Sequence, residues 1–461
     1  MDNKKKTLTL FSIVMINIIA VDSIRSLPLS AQYGFSLIFY YLIGGLCFLI
    51  PSALVSAELG TAWPETGGLY VWVKAAFGKS VGSVIIWLNW IFNLAWYPTV
   101  MGVTAGVSAY LIDPALAENK FYIISVILSL FWIATILNCY GMKISAWVSI
   151  VGATLGTLLP MFFIIVLSIF FYLNGNPLAI EMSWSAILPT DCCFDKLGYF
   201  SSILFGLLGL EMVATHAGEM VDVKRDYPRA LFISVIIILS STVLASLAIA
   251  VVVPNNELNL VVGVLQAFQI YFDYFNIPYF IYIVSGAIVI GALSGVSAWI
   301  IGPTKGIMVA SKDGTLPKYL TMQNSHGVPV HALLTQGVIV TILSLFYLYM
   351  PSVNSTFIFL SIITSQFAMI VYITLFAASI VLHYKKKDVK RTFKIPGGNI
   401  GIWTTACLGI TISSLAFIVG FIPPKEVLIT NIFFYEFMLI GVMILLSILP
   451  LLFVKFSSKD L

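Results

Sequence analysis

Charge is what this sequence has least of. Asp, Glu, Lys and Arg make up 10% of its 461 residues, against roughly 25% in a soluble globular chain. The apolar set reaches 60%, with a mean hydropathy of +1.01. So few charges exclude a water-soluble enzyme fold, because most of such a surface would go unsolvated. Histidine is scarce as well: His216, His326, His331 and His383 are too dispersed for a metal site. The five cysteines, Cys47, Cys139, Cys192, Cys193 and Cys407, show no metal-ligand spacing and imply no disulfide framework. HExxH, GxSxG and a Walker lysine are all missing, so neither enzyme chemistry nor a cofactor or metal is expected. The net charge of +4 follows from topology, and nucleic acid is not an expected partner.

What is present is a succession of apolar runs of about 20 residues, the length that crosses a bilayer. They fall near 8–32, 36–58, 81–111, 121–139, 146–173, 199–220, 230–253, 279–308, 331–350, 356–382, 402–421 and 431–454. The expected fold is an all-α integral membrane protein with twelve transmembrane helices. The first run has a Lys4, Lys5, Lys6 flank but continues through Asp22, Arg25 and Pro28 without a small-residue cleavage site, so it reads as a retained span. Twelve spans put both termini on one side. Of the 24 Lys and Arg, 20 fall on that side; Lys120, Lys196 and Lys425 fall on the other, and Arg25 lies inside span 1. Both termini are therefore expected in the cytoplasm. The longest gaps, 174–198, 254–278 and 309–330, hold no soluble domain, so 1–461 reads as one membrane domain. The outer segment 254–278 has apolar residues at helical spacing, which suits a short surface helix or a connecting loop.

Ionisable residues inside a span mark a functional site, and two spans carry them. Span 1 places Asp22, Ser23, Arg25 and Pro28 near mid-membrane; span 6 places Gly206, Gly209, Glu211 and His216 there, with Glu219 toward the cytoplasmic end. Asp22 and Arg25, at i and i+3, either neutralise each other or face a cavity. Pro28 and the polar run Asp22 to Ser26 point to an unwound helix, and Gly206 and Gly209 weaken span 6 just before Glu211. Two interrupted helices at the head of spans 1–5 and 6–10 are the arrangement of an inverted five-helix repeat with a substrate site between the breaks. The repeats would be 1–173 and 196–384, with two further helices in 401–455.

On a helical wheel Glu211, Thr215, Glu219 and Asp222 form an acidic face, with His216 beside it. Glu211 is a candidate for exchanging a proton with a transport cycle; His216 is either a proton sensor or a packed histidine. Asn89, Asn93 and Tyr97 form an i, i+4, i+8 stripe in span 3 that either bonds neighbouring helices or faces substrate. The run GALSGVSAW in span 8 permits close helix approach, with Trp299 as a gate or an aromatic filler.

Several ordered stretches then carry a resemblance: GLEMVATHAGEMVDVKRDYPRAL, VVPNNELNLVVGVLQAF, SAWIIGPTKGIMVASKDGTLP followed by HGVPV, KRTFKIPGG, AFIVGFIPP and, upstream, AELGTAWPETGGLYVWVKAAFG. Over nearly its whole length the chain resembles the amino acid-polyamine-organocation (APC) superfamily, and within it the bacterial glutamate/γ-aminobutyrate antiporters. The resemblance implies a LeuT-like inverted 5+5 repeat with broken helices 1 and 6, and a secondary transporter exchanging amino acids by alternating access in a bacterial inner membrane. A proton- or sodium-coupled symporter of the same fold is the alternative, and a channel or membrane-embedded enzyme is a third reading. The partners implied are an amino acid substrate, its counter-substrate and the lipid bilayer; nothing sets an oligomeric state. The resemblance also implies Phe205 as a lid, Trp299 as a gate, Asn89, Asn93 and Tyr97 facing substrate, and Val21, Asp22, Ser23, Arg25, Gly209, Leu210 and Glu211 around it. Glu211, His216 and Glu219 are the candidates for proton coupling or gating. The span 1 break departs from the small residues usual in the superfamily, and the sequence runs seven residues past Val454, so a C-terminal plug is not expected.

Overall fold

In lipid every backbone N–H and C=O must be satisfied within the chain, and the long apolar runs answer this by forming helices. The computed structural model describes residues 8–65, 67–140, 151–189, 200, 201, 203–325, 327–422 and 432–457. Among them the fold is all helical, apart from one isolated bridge between Leu8 and Met220. The elements used below are α1 (Leu10–Val21), α2 (Leu27–Ala31), α3 (Leu37–Gly44), α4 (Ile50–Ala62), α5 (Leu69–Phe77), α6 (Lys79–Ala109) and α7 (Lys120–Cys139). They continue with α8 (Leu159–Leu173), α9 (Val223–Val252), α10 (Gly263–Tyr274), α11 (Phe280–Lys312), α12 (Val330–Ser344), α13 (Val353–Lys385), α14 (Gly398–Val419) and α15 (Ile432–Ser457).

Ten helices among the described residues are long and apolar enough to cross a membrane. They coincide with ten of the twelve expected spans. At the expected sixth span the apolar helical stretch is shorter, Ile203–Ala214, because the helix is interrupted; at the twelfth, α15 contributes the apolar stretch Leu439–Ile448. The most enclosed spans are α6, whose central window is 89% buried, and α13, at 83%, whereas α7 reaches only 39%. Two interior helices thus carry most of the core, while the others among the described spans expose more of their surface.

The first interruption follows from sequence. After Val21 the backbone is extended at Asp22 (φ −74°, ψ 121°) and Ser23 (φ −140°, ψ 123°), then tightens into a 3₁₀ turn, Ile24–Ser26. Pro28 sits in the first turn of α2, where its missing N–H leaves no bond unmade. The second interruption centres on Gly209, with φ +121°, a conformation other residues rarely adopt; the backbone then winds as a 3₁₀ helix, Leu210–Glu219. The two breaks meet. A Cβ added to Gly209 would lie 2.9 Å from the Ala20 carbonyl oxygen and 3.0 Å from Trp299 Cζ2. Further along, Val221 N–H donates to Leu8 O at 3.1 Å, joining the start of the first broken span to the end of the second.

Three other contacts frame the site. The small residues of α11 do allow close packing: a Cβ on Gly291 would lie 2.5 Å from the backbone of Gly156. Segment 254–278 contains the helix α10, which turns Val264, Leu265, Phe268, Tyr271 and Phe272 inward, with Tyr271 OH donating to Ala248 O at 2.6 Å. At the ends of the spans, Lys74 and Tyr70 of α5 both bond Asp313. The segment after α13 folds back so that Arg391 Nε lies 3.1 Å from Glu58 Oε1, both side chains buried, while Ile395 N–H donates to Glu58 Oε2 at 2.8 Å.

Candidate functional site

The two breaks cannot satisfy their own backbone as a helix would, and the space they leave is a cavity of about 70 Å³ bounded by α6 and α11. Its lining includes Val21, Asp22, Ser23 and Arg25 from the first break, Phe92, Asn93 and Trp96 from α6, Phe205 ahead of the second break, and Trp299 from α11. Asn89, Tyr97, Gly209, Leu210 and Glu211 lie outside this lining. The reason on α6 is geometric: Phe92, Asn93, Trp96, Val100 and Val103 face the cavity, an arc that takes in only the middle residue of the Asn89, Asn93, Tyr97 stripe.

Arg25 is 5% exposed. Its Nη1 donates to Thr99 Oγ1 at 3.2 Å and to Ser361 Oγ at 3.1 Å, and its guanidinium lies 5.2 Å from the Phe205 ring centroid and 5.7 Å from that of Phe357. Nε is buried without a hydrogen-bond partner. Of the two readings of Asp22 and Arg25, mutual neutralisation is not what the structure has: among the described residues no ion pair joins them. Asp22 instead accepts from Ser241 Oγ at 2.6 Å on Oδ2 and from Thr242 Oγ1 at 3.0 Å on Oδ1, both from α9. A buried charge with only neutral partners is costly, and here two of opposite sign line one cavity.

Trp299 lines the cavity and bonds the first break. Its Nε1 donates to Ala20 O at 3.0 Å, its ring sits 5.5 Å from that of Trp96 and 6.4 Å from that of Phe92, and its own carbonyl accepts from Tyr97 OH at 3.0 Å. Tyr97 thus holds the backbone of Trp299 and is not part of the cavity wall. Asn93 donates to Asn89 O at 2.7 Å and leaves its buried Oδ1 without a partner, an acceptor at the cavity edge. Asn89 and Glu211 share a smaller pocket with Met212 and Pro303. There Tyr372 OH donates to Glu211 Oε2 and accepts from Gly209 N–H at 3.0 Å. Leu210 is packed in the core. The side chains of His216 and Glu219 lie outside the described residues.

Sequence reasoning missed Phe92 and Trp96, which a stripe drawn one position earlier along α6 would have found. It also missed Thr99, Ser361, Ser241, Thr242 and Tyr372. Nothing in the sequence marks these hydroxyls, because Ser and Thr are scattered through every span and most of them bond their own helix.

With this geometry in place, the comparison with known proteins is direct. The amino acid permease family profile matches residues 6–445. An uncharacterized transporter of Legionella pneumophila is 49% identical, covering 100% of this chain and 99% of its own. Two glutamate/γ-aminobutyrate antiporters of Lactococcus lactis, from subspecies lactis and cremoris, are 28% and 29% identical, each covering 99% of this chain and 92% of its own. A multi-pass helical protein with a cavity between two broken spans, matched along nearly its whole length, belongs to the amino acid permease family of the APC superfamily: it is a membrane transporter and not an enzyme.

Proposed function

We propose that the protein exchanges amino acids of the glutamate/γ-aminobutyrate type by alternating access. The observation that carries this reading is the free edge of Arg25. With Nη1 held by two hydroxyls, the Nε side of the guanidinium remains to grip a carboxylate with two parallel bonds. Phe205 and Trp299 supply apolar walls, and Asn93 Oδ1 offers an acceptor for an amine. Twelve spans as an inverted 5+5 repeat with two further helices, both termini cytoplasmic, and a bacterial inner membrane complete the reading; the basic-residue asymmetry supports the orientation. Glu211, with Tyr372 against it, is the group to couple protons, and that contact is what favours proton-coupled symport as the second reading.

Purified protein in liposomes preloaded with or without amino acid separates the two. Uptake of labelled glutamate that requires internal glutamate or γ-aminobutyrate supports exchange; uptake driven by a proton gradient into empty vesicles supports symport. Arg25→Lys keeps the charge and loses the fork, and should weaken competition by acidic and zwitterionic solutes by about tenfold or more. An unaltered selectivity order in Arg25→Met with Asp22→Asn removes Arg25 as the selector.

A further inference from the structure

Among the described residues, the side-chain hydrogen-bond partners of the two charged residues at the first break come from three helices and are all hydroxyls. Thr99 on α6 and Ser361 on α13 hold Arg25; Ser241 and Thr242, adjacent on α9, hold Asp22. On a regular helix an acid and a base three residues apart lie close enough to pair. Here the backbone is extended at Asp22 and Ser23, and the two side chains leave toward different helices. Hydroxyls cancel no charge, so the arrangement forgoes an available ion pair.

We infer that Thr99, Ser361, Ser241 and Thr242 are positioning residues that keep Arg25 and Asp22 apart as an open pair, which only a solute bearing both an amine and a carboxylate can bridge. The inference rests on the carboxylate-binding role given to Arg25 above. A carboxylate alone compensates Arg25 and leaves Asp22 uncovered; an alkyl amine does the reverse. A zwitterion compensates both, and beside two side chains as buried as Asp22 and Arg25 the second contact is strong. Each Asp22 oxygen accepts one hydroxyl and retains a lone pair for an ammonium.

The test is competition against labelled glutamate uptake by three probes of one length: γ-aminobutyrate, butyrate and butylamine. In the wild-type protein γ-aminobutyrate should compete at about a hundredfold lower concentration than either of the others. In Asp22→Asn its advantage over butyrate should fall by about tenfold or more, because no uncovered carboxylate then penalises butyrate; an advantage that persists in folded Asp22→Asn overturns the inference. Ser241→Ala with Thr242→Val keeps both charges and frees Asp22 to close on Arg25. That double variant should lose about tenfold in γ-aminobutyrate affinity with maximal rate retained, and wild-type affinity would overturn the positioning role. Failure of the Arg25 reading itself is separable, since it appears as equal competition by butyrate in wild-type and Arg25→Met proteins.

Discussion

Replacing Gly209 by alanine tests whether contact between the two breaks holds the cavity closed. An L residue at φ +121° costs about 1–3 kcal/mol. The new methyl would also sit 2.9 Å from Ala20 O and 3.0 Å from Trp299 Cζ2, too close to stay, and moving that carbonyl breaks the 3.0 Å bond from Trp299 Nε1, worth about 0.5–1.5 kcal/mol. Together the two effects destabilise this contact by about 1.5–4.5 kcal/mol, and at about 1.4 kcal/mol per decade the population with the breaks parted should rise roughly 10- to 1,500-fold. A cysteine at Ser23, in a background with the five native cysteines replaced, reports this through its labelling rate with an impermeant maleimide in right-side-out and inverted vesicles. Gly206→Ala is the control: a Cβ there meets its nearest atom at 3.2 Å with ordinary φ, and should change labelling by no more than about threefold. Equal rates for Gly209→Ala and the wild type in both vesicle types would refute the idea that this contact is the closure.

Other outcomes follow from the same geometry. Glu58→Ala strips Arg391 of its carboxylate and Ile395 N–H of its acceptor, and should cost about 3–5 kcal/mol, whereas Glu58→Gln, which keeps an acceptor, should cost less; thermal melting in detergent ranks them, and the reverse order refutes the ion pair as the source. Partial burial pushes the Asp313 carboxyl up, but the hydrogen bonds from Lys74 and Tyr70 outweigh it and hold the group below its ordinary 3.8. Stability from this tie is therefore fully present above pH 3.8 and is lost as pH falls below it, so Asp313→Asn should lower the melting temperature at neutral pH and converge on the wild type in strong acid. Tyr372→Phe removes the hydroxyl that bonds both Gly209 N–H and Glu211 and should destabilise by about 1–3 kcal/mol, seen as a lower melting temperature; an unchanged one means the pair contributes nothing to the fold.

Long-range features of this protein are legible in its sequence because the bilayer imposes a length and a polarity that composition must obey. The break at Asp22 could be read from Pro28 and the polar run ahead of it, since both weaken a helix locally. What Asp22 and Arg25 touch could not be read, because their partners lie on α6, α9 and α13, 74 to 336 positions away in sequence. The stripe on α6 shows a subtler failure. Its period is right, yet a wheel has no absolute zero, and which arc meets the cavity is decided by where α11 and the breaks pack against it.

The bond from Val221 N–H to Leu8 O deserves a mechanical reading. Together with the meeting of Ala20 and Gly209, it fastens the two interrupted spans at two levels, one at the break and one at the end of the helices. Val221→Pro, which leaves no N–H to donate, should therefore loosen the two spans at that end while leaving the contact at the breaks in place.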